Sequence, residues 1–369
     1  MRAITVPEID PKEVYQSCVN SITDSSLCNR LNALSNEIAS AAEIYKEKAE
    51  ANQLYTIPPN NCENDSIALG DVTKKELKNV YSSHMVAKAK PARKFYDLLL
   101  SLAPRNRCPF CGVGYASTLD HYLPKTKYPQ LSVVPFNLVP SCKDCNTGKS
   151  TAIAITEKEQ SLHPYFSNQK FINEQWLFAE IMPTIPETTR YFVKPPISWD
   201  SVSKSRVQSH FNDFKLATKY TIEAASELAG RKQFLDDFKN LHGSNLLSEL
   251  LKEEAKSYFN NHVNAWKTAL YQALVILYSE ITDSSVSNER YTCPVCDGER
   301  VLVNKDCPLC KGAGEISQDD LKYYNDNAPY FNDFSCPKCD KNNNLGCDLC
   351  RGNDIISQEK ALELTKNRP

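Results

Sequence analysis

Apolar and polar positions in the first part of the chain follow a helical rhythm. From about residue 11 to 55, apolar side chains recur mostly every three or four positions, as they do on one face of an α-helix. Pro11 stands near the start of this pattern, and the pair Pro58–Pro59 ends it. The sequence therefore predicts helical structure over this stretch, followed by a polar loop.

The next helical stretch has a recognisable start. Thr73 is followed three positions later by Glu76, a spacing that is typical of a capping box at a helix amino terminus. A basic helical region is predicted from there to Leu102, with an interruption near Pro91.

Two strands and a further helical region are predicted in the second half. Residues 176–181 and 190–193 are rich in aromatic and β-branched side chains, and a turn rich in Pro and Thr separates them. Helical spacing resumes from about 201 to 281, with expected breaks at Gly230 and at the 242–244 turn. The pattern as a whole predicts a mainly α protein.

The cysteines add predicted metal sites to this mainly α fold. Of 15 cysteines, twelve form six Cys-x-x-Cys pairs, while Cys18, Cys28 and Cys62 stand alone. The chain has neither an apolar signal core at its start nor a run of about 18 apolar residues, so we expect a cytoplasmic protein without a membrane span. Thiols stay reduced there, and paired cysteines are then typical zinc ligands. Two pairs make one tetrahedral four-thiolate site, so six pairs predict three structural zinc ions.

The six predicted ligand pairs fall into two regions of the chain. They are Cys108 and Cys111, Cys142 and Cys145, Cys293 and Cys296, Cys307 and Cys310, Cys336 and Cys339, and Cys347 and Cys350.

The last four of these pairs form an internal repeat of two copies, which begin at Cys293 and Cys336. Each copy has two cysteine pairs, then a glycine, then Ile-Ser-Gln. The Cys-Pro-x-Cys and Cys-x-Leu-Cys-x-Gly signatures resemble the cysteine-rich region of DnaJ-type chaperones, in which pairs are ligated in nested order. The repeat favours ligation of each zinc ion by adjacent pairs, and nested ligation stays open.

Three roles are possible for this carboxy-terminal region: binding nucleic acid, binding a protein partner, or capping the end of the fold. The basic residues available for nucleic acid are Lys305, Lys311, Lys338, Lys341 and Arg351.

Charge is distributed unevenly, although the net charge is only −2. Between Lys74 and Lys149 there are thirteen Lys and Arg against four Asp and Glu, a local charge of +9. Such a stretch can attract a phosphate backbone while the rest of the chain stays acidic. A solvated helix face explains the stretch equally well.

The segment from 105 to 150 carries the candidate chemistry. Its four cysteines can close one zinc tetrahedron, which would brace a loop too short for a large apolar core. Asp120 offers a hard oxygen ligand for Mg²⁺ or Mn²⁺, and Asn146 can add a second oxygen. His121 can take a proton from water near neutral pH, and Lys125 and Lys149 can meet phosphate charge.

These residues, in this order, resemble the HNH, or ββα-metal, nuclease motif in its zinc-braced form. The resemblance implies that Asp120 binds the catalytic metal and that His121 is the general base. Asn137 resembles the central Asn, which ties down the loop backbone and so orients the base. Asn146 stands where the motif has its final His, and this His-Asn-Asn form favours Mg²⁺ or Mn²⁺ over Zn²⁺. With Lys149, these residues form the predicted catalytic set.

The resemblance implies an endonuclease that hydrolyses phosphodiester bonds, most readily in DNA. Met1–Ile4, 162–166 and 266–271 also resemble a group of bacterial HNH proteins, and defence against foreign DNA is expected only by analogy. The alternatives are a non-catalytic nucleic-acid-binding protein and a zinc-dependent adaptor. His163 is expected to be structural, because it precedes Pro164 in a turn, although a place in the active site stays open. One motif per chain leaves dimerisation open.

The predicted fold is thus mainly α, with a small α+β zinc-braced ββα-metal nuclease core and small zinc-binding repeats at the carboxy terminus. The predicted divisions are a helical region at 1–104, the nuclease core at 105–168, strands and helices at 169–281, a linker at 282–288 and a duplicated zinc-binding domain at 289–369.

Overall fold

The chain separates into two compact units, Met1–Thr282 and Asp283–Pro369. The computed structural model describes residues 1–148, 153–182, 188–280, 291–299, 301–302, 305–327, 333–335 and 355–366. The predicted linker and the predicted turn between the two strands lie outside these residues. The divisions expected inside the first unit, after residues 104 and 168, stay predictions.

Three helices account for the first helical pattern. They are α1 (Pro11–Val19), α2 (Ser25–Asn32) and α3 (Ser35–Glu50). The side chain of Asp10 caps α1 by accepting from the backbone N–H of Lys12, and that of Asp24 caps α2 by accepting from the N–H groups of Ser26 and Leu27. Each cap satisfies backbone donors that a helix start leaves unpaired, so the pattern divides where Asp24 offers a new start.

The basic region also follows the prediction. After the strands β1 (Ile67–Leu69) and β2 (Val72–Thr73) come α4 (Lys74–Asn79), one π-helical turn (Val80–Met85) and α5 (Arg93–Ser101). Thr73 and Glu76 form the predicted capping box, in which each side chain bonds the backbone N–H of the other residue. Arg30 of α2 also donates to both carboxylate oxygens of Glu76, at 2.6 and 3.1 Å.

The middle of the first unit contains the cysteine segment. Its elements are β3 (Thr118–His121), β4 (Leu138–Ser141) and α6 (Lys143–Gly148), followed by the short helix α7 (Lys170–Asn173). The strands β3 and β4 pair antiparallel, and α6 packs against β3.

The two predicted strands are present and are followed by long helices. Strands β5 (Leu177–Met182) and β6 (Thr188–Val193) pair antiparallel and pack on the helices α8 (Ser201–Asp213), α9 (Leu216–Asn261) and α10 (Trp266–Glu280).

Helix α9 is broken at Gly243, which has a φ of +83°. Arg231 bonds to Glu254 across this break, at 2.9 Å to both oxygens, so the two halves of α9 run back along each other. A helix break was also expected at Gly230, and this prediction is wrong, because the helix continues through that residue. A single glycine inside a helix costs only about 1 kcal/mol relative to alanine, and packing offsets that cost here. Among the described residues, no helix combines the length and the apolar character needed to cross a bilayer.

One apolar core runs through the first unit from end to end. It contains Tyr45 of α3, Phe110 of the cysteine segment, Trp176 before β5, and Leu251 and Leu270 of the last helices, all almost fully buried. A second cluster joins α1, α4 and α5 to the inner faces of β3 and β4. The short cysteine segment is therefore packed between larger helical layers, which keep its backbone in place.

In its described residues, the second unit consists of short strands and two helices. The strands are β7 (Tyr291–Thr292), β8 (Val301–Leu302), β9 (Lys305–Asp306), β10 (Glu315–Ile316), β11 (Asp333–Ser335) and β12 (Ile355–Ser357), and the helices are α11 (Gln318–Asn327) and α12 (Gln358–Lys366). Ile-Ser-Gln leads from a strand into a helix in both copies of the repeat, at the start of α11 and of α12. The same three residues therefore form the same strand-to-helix junction in the two copies of the repeat.

The capping box makes a pH-dependent contribution to stability. The Arg30 guanidinium, more than the Thr73 donors, lowers the pKa of Glu76 to about 2. A carboxylate with a depressed folded-state pKa stabilises the fold above its unfolded pKa, and this contribution is lost as the pH falls towards 2. We expect Glu76→Gln to lower the free energy of unfolding by about 1 kcal/mol at pH 7, and by progressively less below pH 4.

Urea unfolding at several pH values measures this difference. Glu63→Gln, at an exposed carboxylate in the preceding loop, is the matched control and should change little at any pH. A Glu76→Gln deficit that stays constant from pH 7 to pH 3 would contradict the assignment.

Candidate active site and metal centres

The cysteine segment forms a hairpin that is closed by a short helix. In the β3–β4 register, Thr118 faces Ser141 and His121 faces Leu138. Helix α6 follows β4 after one residue and returns to β3, where the side-chain amide nitrogen of Asn146 donates to the hydroxyl oxygen of Thr118 at 3.1 Å. The order is therefore strand, strand, helix, with the predicted site residues distributed over all three parts.

Four buried cysteines stand at the open end of this hairpin. The sulfur atoms of Cys108, Cys111, Cys142 and Cys145 all lie within 4.8 Å of one another, and those of Cys111 and Cys142 are 3.9 Å apart. A tetrahedral zinc ion with Zn–S bonds of about 2.3 Å separates its sulfurs by about 3.8 Å. The cluster therefore suits a structural zinc ion, as the sequence predicted for these four residues.

Groups around the sulfurs complete this cluster. The backbone N–H groups of Gly114 and Cys145 donate to the sulfurs of Cys111 and Cys142, each at 3.4 Å. The Lys219 ammonium, from α9, lies 3.0 Å from the sulfur of Cys145. Four thiolates around a divalent ion carry a net charge of −2, and these donors stabilise that charge. Lys219 is 74 positions from Cys145, so no local sequence pattern predicts this contact.

His121 lies at the end of β3 and is 9% exposed. Its Nε2 is 2.8 Å from the backbone oxygen of Ser132, and the ring of Tyr81 meets the imidazole edge-on with 4.5 Å between centroids. A carbonyl oxygen can only accept, so Nε2 carries the proton, and in the neutral ring the lone pair is on Nδ1. The hydroxyl of Ser132 in turn donates to the backbone oxygen of Leu77, which attaches this loop to α4.

Asp120 precedes His121 on β3 and is 5% exposed. Burial is the largest cause that raises the pKa of Tyr81, and the Asp120 carboxylate adds to it, so the acid lies near the ring that contacts His121. Thr118 and Asp120 are two positions apart on the strand and point to the same face. Asn146 bonds to Thr118, so the amide and the carboxylate belong to the face of β3 that meets α6.

Asn137 is fully buried at the base of the loop between the strands. Its amide oxygen accepts from the backbone N–H of Leu123 at 2.7 Å, and its amide nitrogen donates to the backbone oxygens of Leu123 and Leu131 at 3.0 and 3.2 Å. One side chain thus joins the segment that follows His121 to the turn that precedes Ser132. Lys149 lies outside the described residues.

Lys125, from the same segment, and Tyr81, from the helical region before it, also join this region. Lys125 places its Nζ 4.7 Å from the centre of the Tyr81 ring and 3.1 Å from the hydroxyl of Ser82. Burial lowers the pKa of Lys125, and Lys78 lowers it further. The sequence suggested Lys125 as a phosphate contact, but Tyr81 has no signal beyond being an aromatic residue in a predicted helical stretch.

His163 lies in an aromatic cluster behind β3. Its Nε2 is 3.0 Å from the hydroxyl of Tyr45, its Nδ1 accepts from the backbone N–H of Tyr165, and its ring lies 4.2 Å from that of Tyr122. Both ring nitrogens are used in contacts within the core, which fits the structural role that was expected from the adjacent proline.

A second four-cysteine cluster lies in the carboxy-terminal unit. The sulfurs of Cys293, Cys296, Cys307 and Cys310 also lie within 4.8 Å of one another, with 3.7 Å between Cys293 and Cys307 and 3.6 Å between Cys296 and Cys310. Adjacent pairs therefore come together in the first copy of the repeat, and this cluster also suits a structural zinc ion. The cysteines of the second copy, Cys336, Cys339, Cys347 and Cys350, lie outside the described residues, as do Lys338, Lys341 and Arg351, and the third zinc ion stays a prediction.

The fold and these centres define a mainly helical protein with small sheets and, among its described residues, two buried four-cysteine clusters. The chain is 30% identical over 287 residues to Protein ea31 of Escherichia phage lambda, an alignment that covers 74% of this chain and 97% of the phage protein. The chain therefore belongs to the family of Protein ea31. No family model and no solved structure matches it.

The first cluster depends on a residue that is not a ligand. A Cβ added at Gly114 would lie 2.6 Å from the Cβ and 2.7 Å from the sulfur of Cys142. We expect Gly114→Ala to displace Cys142 and to remove about one equivalent of zinc per chain, as elemental analysis of the purified protein would measure. Gly230→Ala is the control, because its Cβ would meet nothing within 4 Å. Full zinc content in Gly114→Ala would contradict the assignment.

Proposed function

We propose that this protein is a metal-dependent endonuclease of the HNH type, which hydrolyses phosphodiester bonds in DNA. The observation that carries the proposal is the bond between Nε2 of His121 and the backbone oxygen of Ser132. It fixes the proton on one nitrogen and leaves the basic lone pair on the other, and Asp120, which precedes His121 on β3, adds a buried carboxylate. A general base needs this combination of a fixed tautomer and a held orientation.

The residues around His121 fit a hard divalent ion. Asp120 supplies a carboxylate. The amide nitrogen of Asn146 donates to Thr118, so the amide oxygen is the atom of this side chain that can coordinate a cation. Oxygen donors of this kind suit Mg²⁺ or Mn²⁺. When bound, such an ion neutralises charge on the phosphate and stabilises the leaving oxygen.

The protein's own groups then have defined tasks. Nδ1 of His121 accepts a proton from water, and the resulting hydroxide attacks phosphorus as the bond to the leaving oxygen breaks. Asn137 and Ser132 hold the loop that orients the ring. Lys125, beside Tyr81, contributes positive charge for the phosphate. The four-thiolate cluster is structural in this scheme, because its sulfurs leave no open ligand position.

The central test compares His121→Ala with the wild-type protein on supercoiled plasmid. Loss of the general base should slow Mg²⁺- or Mn²⁺-dependent nicking by about 100-fold or more, and EDTA should abolish nicking in the wild-type protein. His242→Ala, at an exposed histidine beside the α9 break, should nick normally. Undiminished cutting by His121→Ala would refute the proposal. DNA binding by the wild-type protein without any cutting would favour the non-catalytic alternative.

A second test addresses Lys125. In the His121→Ala background, which prevents cutting, Lys125→Gln should weaken DNA binding and reduce the slope of log K against log salt concentration by about 1, as expected for one lost phosphate contact. Lys252→Gln, at an exposed lysine on α9, is the control. Identical slopes for all three proteins would remove Lys125 from the phosphate-binding set.

Other expectations about the biological role have no support beyond the sequence. A role in defence against foreign DNA, a cytoplasmic location, and a protein partner for the second unit stay predictions.

A further inference from the structure

A cavity of about 270 Å³ lies directly beyond the predicted catalytic strand. Tyr122, Leu123 and Pro124, the three residues that follow His121, form part of its wall. Ile153 and Ala154, on the chain that continues from α6, line it as well. The cavity therefore borders both segments that lead away from the proposed active site, although its lining includes none of the proposed catalytic residues that the structure describes.

Apolar and aromatic walls occupy much of the cavity surface. Tyr55 is half-buried, so part of its ring is exposed. Two hydrogen bonds hold the wall that contains Tyr55 and Gln160: the side chain of Gln160 accepts from the backbone N–H of Tyr55, and the buried Arg206 donates to the backbone oxygen of Gln160. A cavity with fixed apolar walls and an exposed aromatic ring suits a flat, partly apolar ligand.

Two carboxylates are among the polar groups that line the cavity. Asp213, at the end of α8, and Glu159 contribute carboxylates, and none of the described residues that line the cavity is positively charged. The hydroxyl of Ser161 donates to one oxygen of Asp213, and the backbone oxygen of Ser161 accepts from Tyr122, so the acid is positioned by the residue next to His121. Two carboxylates disfavour a phosphate here and favour a ligand with several N–H donors.

We propose that this cavity binds an unpaired guanine of the strand that the site cleaves, with Asp213 accepting from the base's N1–H and N2–H groups. The inference rests on the proposed function, because it assumes a nucleic-acid substrate. Guanine presents two adjacent N–H donors on its pairing edge, which match the two oxygens of a carboxylate. Adenine, cytosine and thymine each present only one donor beside an acceptor. A base must leave the helical stack to reach such a pocket, so the substrate strand is single-stranded or locally opened at this position.

The test uses single-stranded DNA with one guanine in a thymine background, and the same DNA with inosine, which lacks the N2 amino group. We expect the wild-type protein with Mg²⁺ to cut at a fixed distance from the guanine, about tenfold faster than with inosine. Asp213→Asn should bring the guanine-to-inosine rate ratio close to one. Asp237→Asn removes the same charge at an exposed site on α9 and should keep the wild-type ratio.

Several outcomes separate this inference from the proposed function. Cutting without a guanine preference, or a preference that Asp213→Asn retains, would overturn the pocket assignment and leave the nuclease proposal standing. If no DNA is cut, the nuclease proposal fails, and binding of the two oligonucleotides in EDTA decides the pocket: tighter binding of guanine that depends on Asp213 supports it, and equal binding overturns it. Protection of the DNA by micromolar free guanosine monophosphate would show that a free nucleotide is the occupant, which also overturns the inference.

Discussion

The clamp formed by Cys108, Cys111, Cys142 and Cys145 is the constraint on which the candidate site depends. It joins the chain before β3 to the chain after β4, so the hairpin between them is closed at its open end. Helix α6 begins within the second cysteine pair, and its position against β3 follows from the same clamp. The hairpin has too few residues for a core of its own, and the clamp together with the surrounding helices replaces that core.

The loop at the other end of the hairpin has a different source of order. Asn137 makes three hydrogen bonds to loop backbone, and Ser132 accepts from His121 and donates to α4. Buried polar groups of this kind are costly unless each finds a partner, so the loop has few alternative arrangements. In the proposed mechanism that rigidity is what orients the base, and Tyr81 from the preceding helical layer closes one side of the ring.

The proposed active site and the proposed base pocket lie on different parts of the same segment. The proposed metal ligands of the active site, Asp120 and Asn146, lie on the face of β3 that meets α6. The pocket includes the wall formed just after His121, where Tyr122, Ser161 and Asp213 are linked by hydrogen bonds. Chemistry and recognition would therefore be coupled through adjacent residues of one chain segment. The carboxy-terminal unit has its own four-cysteine cluster and its own small core.

The sequence by itself determined the features that depend on short spacings. Cys-x-x-Cys pairs, the Thr73–Glu76 capping box, the two strands before α8 and the helix break at Gly243 all arise from residues a few positions apart, whose geometry is set by local backbone rules. It also indicated the candidate site residues between 108 and 149. Only the tertiary structure decided that Lys219 reaches Cys145, that Tyr81 packs on His121, and that Asp213 shares a cavity with Tyr122. Those pairs are separated by 40 to 91 positions, and their contacts follow from how whole helices pack around one core, which no local pattern encodes.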